Sequence, residues 1–384
     1  MTFRSMLIIG VSLLALPAYA LEPADLTGQR LSEADYQALV DAAKKVTPPK
    51  TGDTYTFGFA NLGRNAPFFL NVEKGILENA ELAGIKVLVT DNAFDGATAL
   101  SNAQSYVRRN VDYVIEFQTD ANFGPTIMTN FNQENIPVTA IDIPMPGATF
   151  MGANNPRSGF MGGAYLGQAA REKWGDDKVE TGYLVVGELP QSGAIPAMRT
   201  DGQVAGFLAE YPDFPEDHII KIDTKGTLEE GFRVMNDLIG RIPEGAPILG
   251  LAINDQSILG MLRAVEQANR GDEPMFVGMG ADEIAAMAAD PAFIASVGYF
   301  PENYGNYLVP LALMELAGEE LPAAVLVTHE MVTRVNLCEF YPDSQCADVK
   351  EIDFIFPAEA FAEHLKVQAE NPDLSDYQDL FPSE

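Results

Sequence analysis

Strand-like runs alternate with amphipathic helical stretches along most of this chain, and that rhythm constrains the fold more than any other feature. Residues 54–60, 85–91, 111–118 and 136–142 carry short apolar runs of strand type, with helical stretches at 68–83, 97–109 and 123–134 between them. In the first helical stretch Phe69, Val72, Ile76, Ala80 and Ala83 recur at the three-to-four spacing of a face that packs on a sheet. Gly84 follows where a helix ends in a residue of positive φ. A second series places strands at 181–189, 218–223, 248–254, 275–280 and 293–300, again separated by helical patterns. Repetition of this kind predicts parallel sheets covered by helices on both faces, because each parallel strand needs a crossover helix to bring the chain back. The fold class is therefore α/β, with two doubly wound parallel-sheet lobes divided where the pattern loosens, around residues 144–157. A length of 384 residues suits about two domains.

The ends of the chain read differently. Arg4, an apolar run over residues 6–16 and the small-residue site at Ala18 and Ala20 predict a signal peptide over 1–20, cleaved near Ala20. Export to an oxidising compartment follows from it. The apolar run is too short to span a bilayer, and no later run is long enough, so no direct membrane insertion is expected. Residues 21–53 read as a leader with one helix at 32–45, and 343–384 as an acidic C-terminal extension with helical periodicity only at 358–369. Cys338 and Cys346 are the only cysteines, and in an exported chain they are expected to form a local disulfide worth about 2 kcal/mol.

Composition excludes some partners. With 24 Lys and Arg against 55 Asp and Glu, the formal net charge of −31 opposes nucleic acid and anionic lipid. Enzyme signatures are missing too: there is no G-x-S-x-G elbow, no H-E-x-x-H and no P-loop, and Gly278-Met279-Gly280 fails as a dinucleotide fingerprint. His218, His329 and His364 are the only histidines, and His329 reads as a structural hydrogen-bonding residue. The segment from Asp91 to Gly96 has Ala93 where a calcium loop needs an oxygen ligand. No metal and no cofactor are expected.

The candidate site lies at the strand ends. In an open α/β sheet, ligands bind beyond the carboxyl ends of the strands. There the first strand is followed by Asn65, Ala66, Pro67, Phe68 and Phe69, a polar loop ending in two aromatics. Rings beside hydrogen-bonding side chains suit a sugar, which has an apolar face and an equator of hydroxyls. Other strand ends supply Gln118, Asp142, Asn254, Asp255, Asp282 and Tyr299, and Arg199 opens a helix of the second series. Each has a plainer reading: a hydrophobic staple for a Phe, a turn cap for Asp142, an N-cap for Asn254, a surface charge for Arg199. Their recurrence at strand ends of both series favours a ligand cleft.

Several segments carry a family resemblance. NAPFF (65–69), IPVTAID (136–142), GANNPRSGFMGG (152–163), AMRTDGQVAGF (197–207), AINDQSILGMLRAVEQA (252–268) and VGYFPENYG (297–305) resemble the substrate-binding proteins of sugar ABC transporters, of the ribose- and galactose-binding type. The resemblance implies the type I periplasmic binding protein fold, with lobe 1 over 54–154 plus 301–328, lobe 2 over 155–300 plus 329–342, and a three-segment hinge near Asn154, Phe300 and Thr328. It implies a periplasmic, monomeric receptor, not an enzyme, that closes on one small sugar or polyol and delivers it to a membrane permease. It assigns ligand contacts to Phe68, Phe69, Asp142, Arg199, Asn254 and Tyr299. The same architecture could instead present a sugar or autoinducer to a membrane histidine kinase; a glycoside-active enzyme is a weaker alternative. Three departures bear on specificity: Ile143 stands where ribose-type members carry Arg, Gly280 stands where an Asp is expected with Asp282 two residues on, and Arg199 sits farther before Gly206-Phe207.

Overall fold

A computed structural model describes residues 21–118, 120–350 and 352–381. The expected signal peptide lies outside the described residues. The strands are β1 (Thr56–Asn61), β2 (Lys86–Asp91), β3 (Tyr113–Glu116), β4 (Val138–Ile141), β5 (Thr149–Ala153), β6 (Tyr183–Glu188), β7 (Ile219–Asp223), β8 (Ile248–Ala252), β9 (Pro274–Gly280), β10 (Phe293–Gly298), β11 (Ala324–Val327) and β12 (Glu330–Thr333). They form two six-stranded sheets, ordered β11-β5-β4-β3-β1-β2 and β12-β10-β9-β8-β6-β7. Each expected strand of the two series is present, most with tighter ends, while β1 runs one residue past its expected end and β9 begins one residue before its expected start. The third expected strand, 111–118, narrows to β3, and the fourth, 136–142, narrows to β4. β5, β11 and β12 were not foreseen.

Every pairing in the first sheet is parallel, as is every pairing in the second except β10 with β12, which is antiparallel. The two doubly wound parallel-sheet lobes are as expected, and the one antiparallel pairing has a geometric cause. The carboxyl ends of the two sheets face each other across the cleft. A strand that leaves the first sheet at its carboxyl end and runs straight on must enter the second sheet backwards. β11 does so through Thr328 and His329 alone. The chain also passes between the sheets from β5 into the helix Asn155–Trp174, and from β10 into the helix Gly305–Leu316.

Local signals explain the helices that frame the cleft. The helix Pro67–Leu82 opens with proline at its first turn, where a missing N–H costs nothing. It buries Phe69, Val72, Ile76 and Ala80 on the first sheet. It ends with Gly84 at φ +65°, where the Ile85 N–H reaches back to the Ala80 carbonyl at 2.8 Å. In the leader, Ser32 caps the helix Glu33–Val46, accepting from the Asp35 N–H while Asp35 accepts from the Ser32 N–H. In the second sheet's layer, helices Asn155–Trp174 and Ala194–Glu210 touch backbone to backbone. A Cβ added at Gly159 would stand 2.0 Å from the Arg199 carbonyl oxygen, and one at Gly206 2.0 Å from that of Phe160. Only glycines allow this approach, and it fixes the position of Arg199.

The C-terminal extension is better packed than its acidity suggests. Cys338 and Cys346 form a disulfide with Cα atoms 5.2 Å apart. Beyond it Phe354 packs on Tyr165, and the Arg157 guanidinium lies 4.5 Å over the Phe356 ring. Phe361 in the helix Ala358–Ala369 meets Phe160 at 5.2 Å between ring centres. Leu374 and Leu380 are then buried with Phe150 of β5 and with Ile195 and Met198 of the helix Ala194–Glu210. The tail thus touches elements of both sheets.

Candidate ligand-binding site

Between the facing carboxyl ends lies a cavity with about 80 Å³ of room for water centres, space that suits one small ring better than a chain. From the first sheet it is walled by Leu62, Phe68, Phe69, Phe94, Phe117 and Ile143, with Asp142 as the charged group. From the second sheet come Arg199, Asn254, Gln256, Met279, Asp282 and Tyr299. Among the sequence-derived candidates, Phe68, Phe69, Asp142, Arg199, Asn254, Asp282 and Tyr299 line this cavity. Asn65 is exposed on the rim loop. Gln118 is fully buried, with neither end of its amide bonded, and Asp255 lies buried beneath the wall. None of the histidines lines the cavity. Burial and the neighbouring Arg157 push the His329 imidazole down to about 4, so it is neutral at pH 7.

Asp142 is held in an unusual conformation. It follows β4 with φ +55°, a left-handed value that Asp tolerates better than most residues. Its N–H donates to the Met151 carbonyl at 3.0 Å, and its Oδ1 accepts from the Ala153 N–H at 3.3 Å. The carboxylate fits because β5 has no side chain at Gly152, where a Cβ would stand 2.4 Å from Oδ1. Burial pushes the Asp142 carboxyl above its ordinary value, and the Arg199 guanidinium opposes that. Arg199 is itself oriented twice over. Its Nε donates to Asn155 Oδ1 at 2.9 Å, its Nη1 donates to the Ile253 carbonyl at 2.8 Å, and its guanidinium lies 5.0 Å over the Tyr299 ring. A guanidinium fixed in this way is pre-organised for a further acceptor.

Asn254 has two duties. It caps the helix Asp255–Gln267 by accepting from the Ser257 N–H at 3.0 Å, and its amide donates to the Gly226 carbonyl at 2.9 Å. The N-cap reading is therefore correct, at a residue that also faces the cavity. Asp255 supports the wall from behind. Its carboxylate accepts from the Ser296 hydroxyl at 2.7 Å and from the Asp282 N–H at 3.1 Å. Asp282 in turn places its Oδ1 2.4 Å from where a Cβ on Gly280 would be, so it fills the space above that glycine. Burial, with the charges of Asp255 and Glu283, raises the Asp282 carboxyl well above the carboxylate range, against a bond from the backbone of Phe68 across the cleft.

Phe94, Phe117, Gln256 and Met279 were not singled out from sequence, and Ile143 was noted only as a departure from the ribose type. Apolar residues at strand ends look the same whether they face a core or a cavity, so only the three-dimensional arrangement separates them.

The arrangement combines a ring of aromatic surface with one carboxylate and one fixed guanidinium. Among the described residues no group of His, Cys, Asp and Glu is placed to hold a metal ion, and no helix is long and apolar enough to cross a membrane.

Comparison with known proteins gives this geometry a setting. The family described as a periplasmic binding protein domain matches residues 57–320, most of the chain. The ribose import binding protein of Bacillus subtilis is 24% identical over 288 residues, covering 73% of this chain and 88% of its own length. Among solved structures, an ABC transporter solute binding protein of Bacillus halodurans with bound myo-inositol superposes with a TM-score of 0.63 at 20% identity, over 77% of this chain and 100% of its own. One from Actinobacillus succinogenes with bound D-allose gives a TM-score of 0.63 at 16% identity, over 74% and 99%. These structures share the fold of this chain.

Proposed function

Belonging to the periplasmic binding protein domain family, the chain is a solute receptor of the sugar-transporter kind and not an enzyme, and we propose that it captures one small sugar or polyol between its lobes and hands it to an ABC transporter permease. The lobes are residues 54–154 with 301–328, and 155–300 with 329–342. The reading is supported above all by the placement of Asp142 and Arg199. They face the same cavity from different sheets, the Arg199 charge acts on the Asp142 carboxyl, and no ion pair joins them among the described residues. A hydroxyl between them accepts from the guanidinium and donates to the carboxylate, which neither side chain does for itself. The aromatic wall takes the carbon face of the ring.

Such a ligand binds both lobes at once only when they are shut, so it shifts the population toward the closed form. The closed form is what a permease recognises, and the periplasm is where the receptor meets it. A thermal-shift panel of sugars and polyols identifies binders, since a tight ligand raises the melting temperature by mass action. Small-angle scattering with the best of them is expected to show a smaller particle with unchanged secondary structure. Identical dimensions with and without that compound would count against capture by closure.

A further inference from the structure

We infer that the ligand is amphipathic: a neutral small polyol of the deoxy-sugar kind, with hydroxyls on one side and bare carbon on the other. This rests on the cavity being the polyol site proposed above, and it deepens that reading. The observation behind it is how little hydrogen-bonding capacity the cavity has left to offer.

Most polar groups on the wall already have partners within the protein. Asn254 uses its oxygen on the Ser257 N–H and donates from its nitrogen to Gly226. Gln256 donates its amide to Glu283. The Tyr299 hydroxyl turns to Ser158 Oγ at 3.1 Å and to the Met279 sulfur at 3.3 Å. Arg199 has committed Nε and one hydrogen of Nη1. For a ligand there remain chiefly the outer oxygen of Asp142, the outer nitrogen of Arg199, the Gln256 carbonyl oxygen and what the Asp282 carboxyl has left beside its bond from the Phe68 backbone.

Apart from Asp142, the side chains from the first-sheet side are bare of such groups. Leu62, Phe68, Phe69, Phe94, Phe117 and Ile143 present only carbon. Ile143 directly follows Asp142 and is 3% exposed, so no polar atom extends the grip of that carboxylate along the wall. Gly226 contributes no side chain at all. Any ring hydroxyl that falls against this surface loses its water without replacement, at about tenfold in affinity for each. A methyl or methylene in the same place gains contact instead.

Charge narrows the class further. Asp142 and Arg199 offset each other on the cavity wall, so neither a sugar acid or phosphate nor a cation finds an unbalanced charge there. An ammonium ligand would suit rings and carboxylates, but the Arg199 guanidinium already lies over Tyr299.

Calorimetric titration of the intact protein with matched compounds tests this: L-fucose against L-galactose, L-rhamnose against L-mannose, propylene glycol against glycerol, with galacturonate and choline as charged probes. In each pair that binds, the deoxygenated member is expected to bind at least about tenfold tighter. Equal or tighter binding of the fully hydroxylated member overturns the inference and leaves the polyol reading intact. Binding of galacturonate or choline above every neutral compound overturns it as well. No binding by any neutral member would reject the polyol reading itself, and this inference with it. Ile143→Asn adds an amide to the bare wall and is expected to shrink the preference about tenfold. An unchanged preference in that variant, with its melting curve intact, would also contradict the inference.

Discussion

At the scale of single residues, the site depends on what its neighbours omit. Asp142 reaches the cavity because Gly152 leaves room for its carboxylate. Gly152→Ala is therefore expected to displace that carboxylate and weaken ligand binding by about tenfold or more, although residue 152 touches no ligand. Titration of the variant with the best binder of wild type checks this; undiminished affinity would show that the carboxylate position is unimportant. Glu116, at the end of β3, makes a different kind of prediction. Burial pushes its carboxyl up to about 8, against a bond from the Asn92 amide. The folded state then holds a proton that the unfolded chain releases near its ordinary value of 4.5. The stability this group contributes is full below that value and is lost as pH rises through 8, on the order of a few kcal/mol. Glu116→Gln keeps an acceptor for Asn92 and cannot ionise. Its melting temperature should fall less between pH 5 and 8 than that of wild type, and parallel profiles would refute the assignment. Asp142 and Arg199 were legible because polar residues recur at the strand ends and because IPVTAID and AMRTDGQVAGF resemble ligand-contacting segments of the family. Phe117 and Met279 were not, since an apolar side chain at a strand end carries no mark of which side it faces.

Elements were legible where their period was long enough to show. The helix Pro67–Leu82 announces itself through five apolar positions, a leading proline and Gly84, and its observed limits fall within a residue or so of the expected ones. β5 is short and follows a Pro- and Gly-bearing loop, so its run of Thr-Phe-Met-Gly-Ala has too little alternation to read. β11 and β12 look like one interrupted run, and only the two facing sheets explain why a two-residue link divides them. The disulfide belongs to this scale as well. It ties the short helix Leu337–Phe340, packed through buried Leu337 on the second sheet's layer, to the loop that follows. Closing a loop of 8 residues' separation should contribute about 2–3 kcal/mol. Reductant, or a Cys338→Ser and Cys346→Ser double variant, is expected to lower the melting temperature while ligand affinity stays within a few-fold. A large loss of affinity would mean that the loop communicates with the cleft in a way its position does not suggest.

For the whole molecule, the alternation of strands and helices made two wound sheets readable, but not how they are tied. Sequence marks the last forty or so residues as acidic with one helix, at 358–369, but not what anchors them: Phe354, Phe356 and Phe361 on the second sheet's helices, Leu374 and Leu380 between elements of both sheets. Single aromatics without a period are invisible to pattern reading, yet each supplies much of a contact. The cleft itself follows from topology: parallel strands place their carboxyl ends on one edge, and three passages of the chain turn those edges toward each other. The claim that this cleft holds a polyol between Asp142 and Arg199 is tested most directly by calorimetric titration of wild type and Asp142→Ala with the strongest binder from the panel, beside their melting curves. The expected result is one site per chain in wild type and a loss of about 2–4 kcal/mol in the variant, roughly 30- to 1000-fold in affinity, with the melting temperature little changed. Unaltered affinity together with a lowered melting temperature would contradict it, and would make Asp142 a turn residue and nothing more.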